Sequence, residues 1–538
     1  MAVKYKVIRN NQSITPFFGE RLSFIRGLDP LGLQNTSDTT FTLLMPGLNN
    51  VTGRIRYYSF YSWLLDQYSK INGSTDPAIQ KTFIRKAEYI IALSAQFYAG
   101  ESGSIPGSNY AKTEVQNQEI QVHDLNAGIY KPDGTTANTY WNYSWGAFGQ
   151  YYIGSLRDIG IVISREDSEV YARTNSQEDH FVSGEMLADA FDSNIPTNKK
   201  ELFLKCLTES SISEEQLKDL LPEFNLTHVP ENTKEQELLI RLLLQKDIPL
   251  RIEEEPITLR KDSIRHLLQF VASQPEKFDD REFIYTAYNN KGKADEKRED
   301  SLLGWYYYQF NEFWHYANTC LFNGTLNFLE ENYGPNWVPL NQLIDEVANG
   351  VLQLFVEGEL VTDANNTVEA VLHHLKADEY HFMAAASKSL KTEKVFYGLL
   401  MIFSQYLNNL EELALLKNYG DSNHLAKDGD GVTYFLGPFK TKQQIPLIQY
   451  IKEYLFKNII YRHQYVAFRK MRGSTLSTQK FIIEDHHIRY LGNFDAGYTG
   501  PRIGNVISFL KDLSVITTDN ALTAYGEDVL TQLSAKDD

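Results

Sequence analysis

Apolar residues recur at three-to-four spacing along most of this 538-residue chain, the period of helices packed on one face. The turn cluster Pro46-Gly-Leu-Asn-Asn50 marks an early boundary, and Thr52 stands where an N-cap belongs. A helix is predicted from Gly53 to Tyr68, carrying Ile55, Tyr58, Trp63 and Leu65, and a second over residues 80–98. Residues 100–140 have loop composition, and Tyr140 to Trp145 should pack back on the first helices. From about 180 to 420 the pattern predicts helix after helix. Ser213 with Gln216 and Thr233 with Gln236 have capping-box spacing. Thr258–Ser273, a long aromatic helix through Trp305 and Trp314, and helices capped at Thr367 and Thr392 follow.

Gly420 to Gly437 is flexible in composition and separates a C-terminal segment. Ile448, Ile451, Leu455 and Ile459 predict one helix over 446–470, and Phe481–Ile483 and Ile488–Tyr490 predict two short strands. A proline-started helix, Pro501–Leu513, buries Ile503, Val506, Ile507 and Leu510 and turns Arg502, Asn505, Ser508 and Lys511 away. Val515–Thr517 and Leu522–Ala524 flank a turn, and Gly526–Leu533 closes the chain. The expected fold class is therefore mainly α, a multi-helical body with a C-terminal α+β domain. The expected divisions are 1–160, 161–425 and 438–538.

The phrase from Arg502 to Leu530, with Leu522-Thr-Ala-Tyr-Gly526 at its return, resembles winged helix-turn-helix DNA-binding families, with Ser514 in place of their usual glycine. The resemblance implies a winged helix whose recognition helix carries Arg502, Asn505, Ser508 and Lys511. The N-terminal phrase Pro46 to Trp63, with Arg54 and Arg56 in a first helical turn, resembles uncharacterised bacterial proteins, some of them defence-associated. It implies a bacterial source and a role against phage or plasmids. Cations are disfavoured at a helix N-terminus, so Arg54 and Arg56 require anionic partners, inside this protein or on another.

Charge sharpens the C-terminal reading. The chain carries a net −17, which repels nucleic acid and anionic membranes in bulk. Between Lys440 and Asp512, however, seven Lys and five Arg stand against two Glu and three Asp, a local +7 that leaves −24 elsewhere. Arg469, Lys470 and Arg472 join the recognition-helix residues as candidate nucleic-acid contacts.

Chemical motifs are thin. Two cysteines, Cys206 and Cys320, make neither a disulfide scaffold nor a cysteine zinc site. No signal peptide and no run of eighteen apolar residues is present, so a cytoplasmic protein without membrane contact is expected. Arg260 with His266 has the spacing of HEPN-type ribonucleases, but chance alone produces such pairs here. Glu369, His373, His374 and His381 could share helix faces, without a second ligand helix. Glu484-Asp-His-His487 reads as a polar turn, and no phosphate-binding glycine motif occurs. No metal or cofactor is expected. The preferred reading is a non-enzymatic adaptor or scaffold of a bacterial multi-protein system, bound to other subunits and in contact with DNA through its C-terminal segment. A metal-dependent nuclease with a site assembled from distant residues, and a transcriptional regulator, are the alternatives.

Overall fold

The computed structural model describes residues 23–25, 27, 29–49, 51–98, 105–117, 121–129, 139–165, 168–176, 181–245, 259–274, 279–294, 297–363, 365–425, 431–472, 476–497 and 503–535. Among them the fold is mainly helical, with five small sheets of two or three strands. No described helix is long and apolar enough to cross a membrane.

Two compact units emerge, each assembled from separated stretches of chain. The first combines Met1–Asn35, Asn311–Asn418 and Ala426–Tyr498; the second combines Thr36–Phe310, Tyr419–Leu425 and Thr499–Asp538. The expected 438–538 segment is thus shared between them: residues up to Tyr498 belong to the first unit and the last forty to the second.

The second unit is organised around the helix Arg56–Ile71. Its first three turns are buried all round, through Tyr57, Tyr58, Phe60, Tyr61, Trp63, Leu64 and Leu65. Aromatic edges lock it to its neighbours: Tyr58 meets Phe509 at 5.8 Å and Trp63 meets Phe203 at 5.7 Å. The helix starts three residues later than the sequence predicts. Ile55, not Thr52, holds the N-cap position, and the side chain of Ile55 offers no cap. The Ile55 N–H instead donates to the Asp512 carboxylate at 3.4 Å, a partner 457 residues away. Beside this helix Pro77–Ser94 buries Glu88, whose carboxylate accepts from the Tyr61 hydroxyl at 2.7 Å, the Tyr140 hydroxyl, and the N–H groups of Ala147 and Phe148 at 3.0 and 2.7 Å. That set fixes the Tyr140–Phe148 stretch against the helices, as its aromatic composition suggests.

The capping predictions divide. Ser213 and Gln216 form the full reciprocal box. The Thr233 hydroxyl accepts from Gln236 N, but the Gln236 side-chain oxygen Oε1 accepts from Asn232 N instead of Thr233 N. The helix Leu259–Ser273 has its expected place, though Thr258 lies outside the described residues. Thr367 is an N-cap without a side-chain bond, and Thr392 sits inside a helix, Lys391–Asn408, that Leu390 precedes.

At the C-terminus of the second unit, Gly504–Asp512 is followed by a single antiparallel bridge, Ile516 to Leu522, and by the helix Ala524–Ser534. Ser514 has φ +56°, a left-handed conformation that favours glycine. Gly526 is required for space: a Cβ there would lie 2.0 Å from the Val515 carbonyl oxygen. Thr523 caps this last helix by accepting from Gly526 N at 2.9 Å.

The first unit packs Leu340–Glu357 against Lys391–Asn408 through Phe355 and Phe396, 4.8 Å apart. The predicted 446–470 helix is Leu447–Tyr454 and Arg462–Met471, joined by a π-helical turn at Leu455–Tyr461. The predicted strand pair is an antiparallel hairpin, Phe481–Glu484 with His487–Tyr490, to which Val338–Pro339 adds a third strand. Asp485 and His486 form its two-residue turn, both with positive φ.

Candidate nucleic-acid interface

The anions required by the two N-terminal arginines are internal. Arg54 donates to Asp512 Oδ1 at 2.6 Å, with the two side chains 10% and 1% exposed. Arg56 spreads over Glu235, Nε to Oε1 at 3.2 Å and Nη2 to Oε2 at 3.4 Å, and donates to the Asn225 carbonyl at 2.6 Å. Glu235 also accepts from Ser59 and Asn194. Two guanidinium groups at the positive end of a helix would be costly, and two buried carboxylates offset that cost. Neither arginine is left over for an external anion.

The Gly504 helix is placed as a core element. Val506, Ile507, Phe509 and Leu510 are buried, and none of its residues is more than half-exposed. Asn505 Nδ2 points at the Asn49 carbonyl, 3.4 Å away, and the Ser508 hydroxyl donates to Gly504 O at 3.0 Å. Lys511 is half-buried. At the helix end Val229 N donates to Asp512 O and Gln236 Nε2 to Leu513 O. Arg502 lies outside the described residues. Side chains meant to read bases in a groove need an open helix face; here Asn505 and Ser508 are turned to the protein's own backbone.

In the first unit the helix Arg462–Met471 is different. His463, Val466 and Ala467 bury one side. The opposite side carries Tyr461, Tyr465 and Phe468, exposed by 59%, 61% and 55%, with Arg469 and Arg472 beside them. Positions 465, 468 and 469 fall at helical spacing on one face; Tyr461 ends the π-turn before it, and Arg472 is the left-handed residue that closes the helix. The Arg469 guanidinium lies over the Tyr465 ring, 5.7 Å from its centroid. Among the described residues neither Arg469 nor Arg472 has a carboxylate within salt-bridge distance.

The remaining cations of this helix hold the chain together. Arg462 donates to Leu31 O at 2.6 Å and Lys470 to Asp29 O at 2.6 Å. Burial lowers the Lys470 pKa from its ordinary value. His463 sits between them with Nδ1 on the Pro30 carbonyl at 2.9 Å and Nε2 accepting from Lys480 N at 3.0 Å. Its imidazole is pushed down to about 4, chiefly by burial, with Lys480 and Lys470 adding repulsion. Of the three expected contacts on this helix, Arg469 and Arg472 face outward and Lys470 is taken by backbone.

Sequence reasoning missed Tyr461, Tyr465 and Phe468. A signal for them exists: from Tyr454 to Ile483 the chain has no Asp or Glu, six Lys or Arg and six aromatics, within a protein of net −17.

The other chemical motifs are either tied to protein atoms or stand apart from one another. Arg260 is buried and donates to the carbonyls of Leu243, Leu242, Gln245 and Pro46, and His266 pairs with Glu299 at 2.9 Å. Burial lowers the Arg260 pKa to about 10. His373, His374 and His381 are exposed, and among the described residues no group of three His, Cys, Asp or Glu is placed to hold a metal. Cys206 and Cys320 are buried free thiols. Compared with family models, curated proteins and solved structures, the chain matches none.

Proposed function

We propose that this chain is a nucleic-acid-binding adaptor, that its contact face is the exposed side of the Arg462 helix, and that the nucleic acid it takes is single-stranded. The observation that carries the reading is the exposed run Tyr461, Tyr465, Phe468, Arg469 and Arg472, aromatic rings interleaved with arginines that have no described carboxylate partner. Bases stack on exposed rings regardless of sequence, and unpaired arginines neutralise phosphates. The acidic remainder of the protein repels a polyanion elsewhere and so confines contact to this face.

In this proposal the winged-helix resemblance concerns architecture. The order Gly504 helix, Ile516–Leu522 bridge and Ala524 helix supports it, as does the close approach at Gly526. The burial of the Gly504 helix argues against its use as a recognition helix.

The test is fluorescence polarisation with labelled twenty-nucleotide single strands and duplexes of the same sequence, at low and moderate salt. The single strand should bind more tightly than the duplex, and Tyr465→Ala and Phe468→Ala should each cost about 1–3 kcal/mol. Both positions are solvent-exposed, so the fold should survive. No binding of either oligonucleotide at low salt would exclude the proposal and turn attention to a protein partner for the same face.

A further inference from the structure

The π-turn at Leu455–Tyr461 sets the register of the rings that precede the Arg462 helix. Its inner side buries Leu455, Ile459 and Ile460, and its outer side exposes Phe456, Lys457 and Tyr461. In an uninterrupted α-helix, positions 456 and 461 would point about 140° apart. The i→i+5 bonding of a π-turn instead brings residues five apart close to one line. The ring centroids of Phe456 and Tyr461 are accordingly 5.8 Å apart, and the 45° angle between the rings leaves neither stacked flat on the other. Phe456 is 37% exposed. Tyr465 and Phe468 follow Tyr461, so exposed rings run from Phe456 to Phe468. Glu453 stands one turn before Phe456, held by Gln449 at 3.1 Å and Lys457 at 3.3 Å. It is the last carboxylate in the sequence before Glu484, so the run opens just past an anion and ends at Arg469 and Arg472.

We infer, resting on the single-strand reading above, that Phe456 is a further base-stacking residue of this face, brought into the row by the π-turn, and that the row holds about five nucleotides. At about 1.5 Å per residue the run from Phe456 to Phe468 spans about 18 Å. That is the length of about five stacked nucleotides at roughly 3.4 Å each. The two ends of the row act differently. Arg469 and Arg472 supply phosphate contacts at one end. At the other end Lys457 is engaged by Glu453, so contact there depends on the Phe456 ring and not on charge. The acidic Glu453 side chain repels phosphate and closes the row beyond Phe456. A π-turn departs from regular helix bonding, and such turns occur frequently at functional sites; the alignment of Phe456 with Tyr461 is what this one contributes to the face.

The experiment is fluorescence polarisation of the full chain with labelled oligothymidylates of three, five, eight and twenty nucleotides over a salt series. Wild-type affinity should rise up to about five nucleotides and then level off. Phe456→Leu keeps an apolar side chain and removes the ring. It should weaken binding of the five- and twenty-nucleotide strands at least about fivefold, the loss of one stacking contact, and leave the slope of log K against log salt unchanged. Phe456→Tyr keeps the ring and should bind like wild type. If the leucine variant unfolds, the wild-type length series decides: levelling at about five nucleotides supports the inference, and levelling at three overturns it. Wild-type affinity in a folded Phe456→Leu, while Tyr465→Ala loses binding, would overturn the role of Phe456 and leave the single-strand reading standing. An equal loss in Phe456→Leu and Phe456→Tyr would also overturn it, since the ring would then not be what binds. No binding of any oligonucleotide by the wild type would overturn both.

Discussion

Replacing Asp512 by alanine tests whether the C-terminal helix is part of the core. In the wild type, Asp512 is 1% exposed and holds Arg54 at 2.6 Å, with Ile55 N at 3.4 Å. Asp512→Ala removes a charge-assisted hydrogen bond worth about 1.5–3 kcal/mol. It also takes the carboxylate away from a guanidinium that is only 10% exposed at a helix N-terminus, where the dipole repels it. Loss of one partner of a buried pair costs about 3–5 kcal/mol in total. The double variant Arg54→Met/Asp512→Leu should cost much less than the sum of the single substitutions, because no charge is left buried. Urea unfolding followed by circular dichroism measures both. A loss below about 1 kcal/mol for Asp512→Ala, or additive single and double variants, would refute the assignment of Asp512 and the Gly504 helix to the core.

Two further outcomes follow from buried polar groups. The folded pKa of His463 lies near 4, below the unfolded value of about 6.5, so its contribution is fully present above pH 6.5 and is lost as pH falls toward 4. The wild type should lose about 2 kcal/mol between pH 7 and pH 5 from this group alone, and the urea midpoints of His463→Gln should be flatter over that range. Glu88→Ala leaves two tyrosine hydroxyls and two backbone N–H groups without their acceptor, and should lower stability by about 3–5 kcal/mol in the same assay, whereas Glu88→Gln should retain part of it.

Much of the local structure is legible in the sequence because it depends on near neighbours. The Ser213 box, the Phe481–Tyr490 hairpin and the stripe of Val506, Ile507 and Leu510 are all set within a dozen residues. Long-range pairing is another matter. Nothing local says that Arg54 meets Asp512 or that Arg56 meets Glu235, separated by 458 and 179 positions. That the helix dipole demands an anionic partner, inside the protein or on another, is readable; which carboxylate supplies it is not. The same long-range packing buries the Gly504 helix on the side its polar residues suggested was open. The π-turn at Leu455–Tyr461 is likewise invisible to a periodicity of 3.6, yet it precedes the face on which Tyr465, Phe468, Arg469 and Arg472 stand.

Substitutions on each helix decide which of the two carries the proposed nucleic-acid contact. Arg469→Glu/Arg472→Glu and Asn505→Ala/Lys511→Glu would be compared for single-strand affinity across a salt series. The first pair should weaken binding at least about tenfold at low salt and reduce the slope of log K against log salt by about 1.4, the share of two phosphate contacts. The second pair should leave affinity and slope near wild type. Unchanged binding in the first pair together with loss in the second would contradict the account and return the contact to the Gly504 helix.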